Sequence, residues 1–195
     1  MPLKPGTYRI RYVAPGNVYA VTGEDKQPPQ VQAVNQLPGP LADKYNWVLR
    51  APDEKIKDQW TIGQWVESKV ESKSEPDYLG WGRPSRKGVQ TEDPNPFDFN
   101  PEIRAEKEAE REGILQWPDQ PVLYTTITQN WQITETLDGK EDINKTSYNI
   151  KIPTEIDNVV SAVAVENGHL ITKNYPVHVE HGLSHKLPAW QFIPI

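Results

Sequence analysis

Apolar and polar positions alternate in three short stretches that share one signature. Thr7 to Val13 places Tyr8, Ile10 and Tyr12 on one face and Thr7, Arg9 and Arg11 on the other, the period of two that a half-buried strand requires. Pro5-Gly6 punctuates its start. The alternation recurs in Gln59 to Trp65 as Trp60, Ile62 and Gln64, and in Ser147 to Ile152 as Tyr148, Ile150 and Ile152. Each of these strands opens on aromatic-x-Ile. A second element also occurs in triplicate: Asn46-Trp47-Val48-Leu49, Asn130-Trp131-Gln132-Ile133 and Ala189-Trp190-Gln191-Phe192-Ile193.

Ordering the two signatures gives three units, Tyr8 to Trp47, Trp60 to Trp131 and Tyr148 to Trp190. Self-similarity at roughly 40 to 50 residues marks a repeated supersecondary unit. In the first unit the strands read as Thr7 to Val13, Val18 to Thr22, Val31 to Val34 and Asn46 to Arg50. About four strands per unit imply about twelve, and the closed architecture that uses this count is an all-β, pseudo-threefold β-trefoil. One domain over positions 1–195 is expected, with repeats at about 1–52, 53–138 and 139–195. The middle unit is longer by roughly 30 residues, which places an insertion at about 66–120. Within it Asn100 can cap a short helix, Pro101 takes its first position and Gly113 ends it. The intervening Glu102 to Glu112 sets five Glu against Arg104, Lys107 and Arg111, the pattern of a solvated decorating helix. Ahead of it, Phe97 and Phe99 in an extended, proline-stiffened stretch are expected to pin the insertion to the barrel.

Composition fits this picture. Only 36 % of residues are apolar, yet there are 7 Trp and 8 Tyr, so aromatic rings must supply much of the buried surface. With 19 Pro and 12 Gly spread along the chain, long helices are disfavoured. The 195 residues carry a net charge of −6, which provides no footprint for nucleic acid or anionic lipid. The absence of cysteine removes disulfides and thiolate chemistry. No run approaches the roughly 18 apolar residues of a membrane span, and Met1 to Ala20 lacks a secretory pattern, so a cytoplasmic location is expected.

Recognisable catalytic chemistry is missing. Gly80-Trp81-Gly82 is the richest glycine segment and has neither the spacing nor the lysine of a phosphate loop. His178, His181 and His185 are close in sequence, but His178 alternates with Val177 and Val179 and so faces solvent, which argues against a metal site. The acid pairs Glu24-Asp25, Asp53-Glu54 and Glu92-Asp93 lie in turns. Asn144-Lys145-Thr146 matches a glycosylation acceptor that needs a secretory route to be used. The expectation is a non-enzyme without cofactor or metal, monomeric, that binds through loops on a rigid barrel.

Leu3-x-x-Gly6-Thr7-Tyr8-Arg9-x-Arg11-x-Val13, Tyr19-Ala20, Trp47-x-Leu49-Arg50, Trp60-Thr61-Ile62 and Pro188-Ala189-Trp190-x-Phe192 together resemble the fungal β-trefoil protease inhibitors. These are the mycocypins (clitocypin and macrocypin), directed at cysteine proteases, and the cospin-type inhibitors of serine proteases. The resemblance covers the first 65 residues and the last ten. It implies a stoichiometric protease inhibitor acting in fungal defence or in the control of endogenous proteolysis, with the target protease, serine (trypsin-like) or cysteine (papain-like), as its partner.

In mycocypins the loops after the first and third strands fill a papain-like cleft. The corresponding segments here are Ala14-Pro15-Gly16-Asn17, much shorter than in clitocypin, and Asn35 to Lys44 with Leu37-Pro38-Gly39-Pro40. The loop after the fifth strand, which carries an Asn for legumain or a Lys for trypsin in that family, has Lys69 and Lys73 and no Asn. Other cospin-type inhibitors use loops that here hold Lys26, beside Pro28-Pro29, and Lys186, before Leu187-Pro188. Arg86 or Lys87 beside Pro84 is a further basic candidate. The shortened first loop and these cations favour a trypsin-like target, whose deep pocket ends in a carboxylate.

A second class of function is a carbohydrate-binding trefoil. Gln129-Asn130-Trp131 and Asp58-Gln59-Trp60 approximate the Gln-x-Trp of such lectins, and Trp65 or Trp81 would be the exposed platform that a sugar needs. A third is a scaffold that uses the acidic Glu102 to Glu112 segment to bind another protein.

Overall fold

The computed structural model describes residues 3–13, 18–23, 31–34, 42–52, 58–67, 77–83, 119–126, 128–136, 146–153, 159–178, 182–183 and 186–195. They form strands β1 (Gly6–Tyr12), β2 (Tyr19–Thr22), β3 (Val31–Val34), β4 (Trp47–Arg50), β5 (Gln59–Val66), β6 (Asp77–Gly82) and β7 (Gln120–Pro121). The remainder are β8 (Leu123–Thr125), β9 (Trp131–Thr136), β10 (Ser147–Lys151), β11 (Val159–Glu166), β12 (His169–His178), β13 (Gly182–Leu183) and β14 (Trp190–Pro194). Among the described residues the helical element is the short 3-10 turn Ala42–Tyr45.

Six strands close on themselves. β1 pairs antiparallel with β4 and β14, β4 with β5, β5 with β9, β9 with β10, and β10 with β14. This ring leaves no unpaired edge to template aggregation. The other strands lean on it: β2 pairs with β3, β6 with β5 and β8, and β11 with β12, the last over eight registered residues. The tight turn of that hairpin is Asn167-Gly168, both at positive φ (50° and 76°), the backbone that a two-residue hairpin loop demands and that Asn and Gly tolerate.

Residues of alternating strands fill the centre. Ile10, Leu49, Ile62, Ile133, Ile150 and Phe192 are buried with Trp47, Trp60, Trp81, Trp131 and Trp190. Three indoles also act as clasps. Trp47 Nε1 donates to the Ala20 carbonyl at 2.9 Å, Trp131 Nε1 to the Trp81 carbonyl at 3.3 Å and Trp190 Nε1 to the Val163 carbonyl at 3.0 Å. Each bond ties a barrel strand to an outer one and satisfies a buried donor that would otherwise cost about 1–3 kcal/mol.

The twelve-strand trefoil read from the sequence is corrected. The described residues form a closed six-stranded antiparallel barrel with additional strands, in one 14-stranded sheet, and the strands outside the ring are unequal. β12, ten residues long, pairs with β3, β7, β11 and β13, and no strand of the other hairpins has such reach. The physical reason is that the repeated aromatic motifs fill and clasp the barrel, and so constrain its strands without fixing what lies between them. The expected helix from Asn100 to Gly113 is not seen: those positions, like Phe97 and Phe99, lie outside the described residues. Within the span read as an insertion, β6, at Asp77–Gly82, pairs with β5 and β8.

Candidate functional site

Among the described residues, two surfaces bring chemistry-bearing side chains together. The first is built on the connection into β14. Lys186 is exposed, and the next three residues, Leu187, Pro188 and Ala189, are all buried. Asn149, itself only 8 % exposed on β10, donates its Nδ2 hydrogen to the Pro188 carbonyl at 2.9 Å. The Val13 amide donates to the Ala189 carbonyl at 2.8 Å. Proline fixes one φ, the two hydrogen bonds fix flanking peptide planes, and burial of Leu187 anchors the turn, so Lys186 stands on a backbone with little freedom.

Beside it Tyr12, Val13, Tyr175, Lys186, Leu187, Pro188 and Ala189 line an open cleft of about 250 Å³. Burial raises the phenol of Tyr175 to about 12, with the neighbouring Tyr12 and Asp119 adding to the shift. Burial also raises that of Tyr12. Both phenols therefore keep their protons at neutral pH, and Lys186 is the basic residue among the described lining.

The second surface lies over β4, β5 and β6. Trp65 points outward from β5 and is 51 % exposed. Its register partner on β6 is Tyr78, whose ring packs edge-on at 5.1 Å between centroids. The Arg50 guanidinium sits 5.2 Å from the Trp65 centroid and 5.1 Å from that of Tyr78, within cation–π range of both. Tyr78 can lie flat across the strands because Gly63 has no side chain: a Cβ there would fall 2.6 Å from Tyr78 Cζ. Its hydroxyl then reaches the Val48 carbonyl at 3.1 Å.

Trp65 also forms one wall of a cleft of about 450 Å³, together with Thr7, Thr22, Lys44, Asn46, Gln64 and Tyr124. Tyr124 donates to Gln64 Oε1 at 3.1 Å, and Gln64 Nε2 donates to the Asn46 carbonyl at 3.0 Å. Burial, reinforced by Tyr78, pushes the Tyr124 phenol up to about 12, so it remains a donor and holds the Gln64 amide in one orientation. Asn46 Oδ1 is buried without a hydrogen-bond partner among the described residues.

Of the residues singled out in the sequence, Lys186 is described and exposed. Pro15, Gly16, Asn17, Lys26, Pro38, Gly39, Lys69, Lys73 and Arg86 lie outside the described residues, as do His181 and His185. Trp65 has the exposure expected of a platform. Trp81 does not: it is fully buried, 5.3 Å from the Trp47 ring and 6.3 Å from that of Trp131. Its glycine neighbours suggest a surface turn, but Gly80 serves close strand approach, since a Cβ there would come within 2.6 Å of the Ile62 carbonyl. Asn149, Gln64 and Tyr124 were not singled out. Asn149 had a readable signal, a polar residue inside the Tyr148-x-Ile150 strand. The other two come together only through strand pairing. No family model and no characterised protein matches the chain in sequence comparison.

Proposed function

We propose that the protein is a stoichiometric protease inhibitor that blocks a serine (trypsin-like) or cysteine (papain-like) protease, with Lys186 as an anchor. The observation that supports this reading is the exposed Lys186 at the head of a buried, doubly hydrogen-bonded segment. A lysine presented this way complements a pocket that ends in a carboxylate. Because the backbone is already ordered, binding does not incur the cost of about 1–2 kcal/mol for each residue immobilised.

Burial of Leu187 also constrains the mechanism. A protease gripping Lys186 cannot draw the bond between Lys186 and Leu187 into its catalytic groove without unseating Leu187 from the barrel. The target is therefore occluded, and the inhibitor is recovered uncut. The test is residual activity of trypsin, chymotrypsin, subtilisin and papain titrated with the purified protein. Trypsin inhibited at a one-to-one ratio, with intact inhibitor recovered by mass spectrometry, is the expected result. No inhibition of any of the four at micromolar concentration refutes the proposal.

A further inference from the structure

We infer that the cleft walled by Trp65 is a saccharide-binding site, independent of the Lys186 surface. Four features of the cleft select this ligand class. A half-exposed indole offers an apolar face large enough for the C–H side of a pyranose ring. The ring is held in place by Tyr78 and by the Arg50 guanidinium over one of its faces, so stacking on the opposite face incurs little ordering cost. The volume, about 450 Å³, falls in the range of roughly 300–1,000 Å³ typical of small-ligand clefts.

The fourth feature is the lining itself. Thr7, Thr22, Asn46 and Gln64 provide neutral donors and acceptors at the edge of the aromatic wall, the polar complement that ring hydroxyls need. Gln64 is fixed by Tyr124, and the Asn46 amide stands in the same wall. Among the described residues no carboxylate lines the cleft, and Lys44 is the charged one. A neutral hexose and one bearing a carboxylate therefore share the site chemistry and differ only in what they offer Lys44.

The test uses the full chain with five monosaccharide probes: glucose, galactose, mannose, N-acetylglucosamine and glucuronate. Saturation-transfer NMR at millimolar sugar is expected to give transfer to at least one of them, strongest at the ring C–H protons. Trp65→Ala should weaken binding by about tenfold or more, and Trp65→Phe, which keeps a ring, by less. Gln64→Ala should weaken it several-fold, about the loss expected for one hydrogen bond. Trp65 is exposed, so its variants should retain the near-ultraviolet circular dichroism of the buried indoles. Lys186→Ala should leave sugar binding intact. Transfer from none of the five sugars overturns the inference. So does unchanged binding by a folded Trp65→Ala protein.

Discussion

Replacing Asn149 by alanine separates the Lys186 surface from its support. The wild-type amide is buried and donates to the Pro188 carbonyl at 2.9 Å. Its removal forfeits a net hydrogen bond of about 1 kcal/mol and leaves a carbonyl of a buried proline unpaired, for a further penalty of about 1–3 kcal/mol. A total near 2–4 kcal/mol should appear in urea titration as a lower midpoint at constant slope. The variant should remain folded, because the six-stranded ring and its three indole clasps are untouched. Binding should suffer separately. If one residue of the segment after Lys186 gains backbone freedom, about 1–2 kcal/mol of ordering cost returns on complex formation, so inhibition of trypsin should weaken roughly 5- to 30-fold. The inhibition constants of wild type, Asn149→Ala and Lys186→Ala against trypsin give the comparison. A destabilised Asn149→Ala protein that inhibits as well as wild type would refute the claim that clamping of this segment sets affinity.

Gly63→Ala should destabilise by about 3 kcal/mol, since the new methyl would meet the Leu79 carbonyl at 2.5 Å and Tyr78 Cζ at 2.6 Å. Thermal unfolding checks the loss, and displacement of Tyr78 should alter Trp65 fluorescence. The tyrosines make the fold sensitive to alkali. Tyr124 and Tyr175, each raised to about 12 by burial, hold protons that the unfolded chain releases near pH 10. Their contribution is full below pH 10 and is lost as pH rises through 12. Denaturant midpoints should fall over that interval, and Tyr124→Phe, combined with Tyr175→Phe, should flatten the fall.

The barrel was legible where side chains alternate without interruption. β1, β5 and β10 lie where Tyr8-x-Ile10, Trp60-x-Ile62 and Tyr148-x-Ile150 place them, and Trp47, Trp131 and Trp190 are buried as their repeated setting implies. What the pattern could not convey was the arrangement of strands outside the ring. β6 is flanked on both sides by another strand and carries glycines for close approach, so it has no alternation and reads as a loop. The β11–β12 hairpin had its signal in Asn167-Gly168, but the apolar run before it does not reveal that β12 continues to three further partners. The candidate surfaces follow the same rule. Lys186 stands out because a basic residue precedes Leu-Pro, and Trp65 because it is out of phase with Trp60 and Ile62. The joining of Gln64 to Tyr124 depends on β8 pairing with β6, a contact between distant parts of the chain that no local spacing encodes.

The most direct measurement for the central claim is lysine acetylation footprinting of the protein alone and in a one-to-one mixture with trypsin. Lys186 should be modified in the free protein and shielded in the complex, with half-exposed Lys173 on the β11–β12 hairpin modified equally in both. Unchanged modification of Lys186 in a mixture whose trypsin activity is fully suppressed would contradict it, and would place the contact on another segment of the surface.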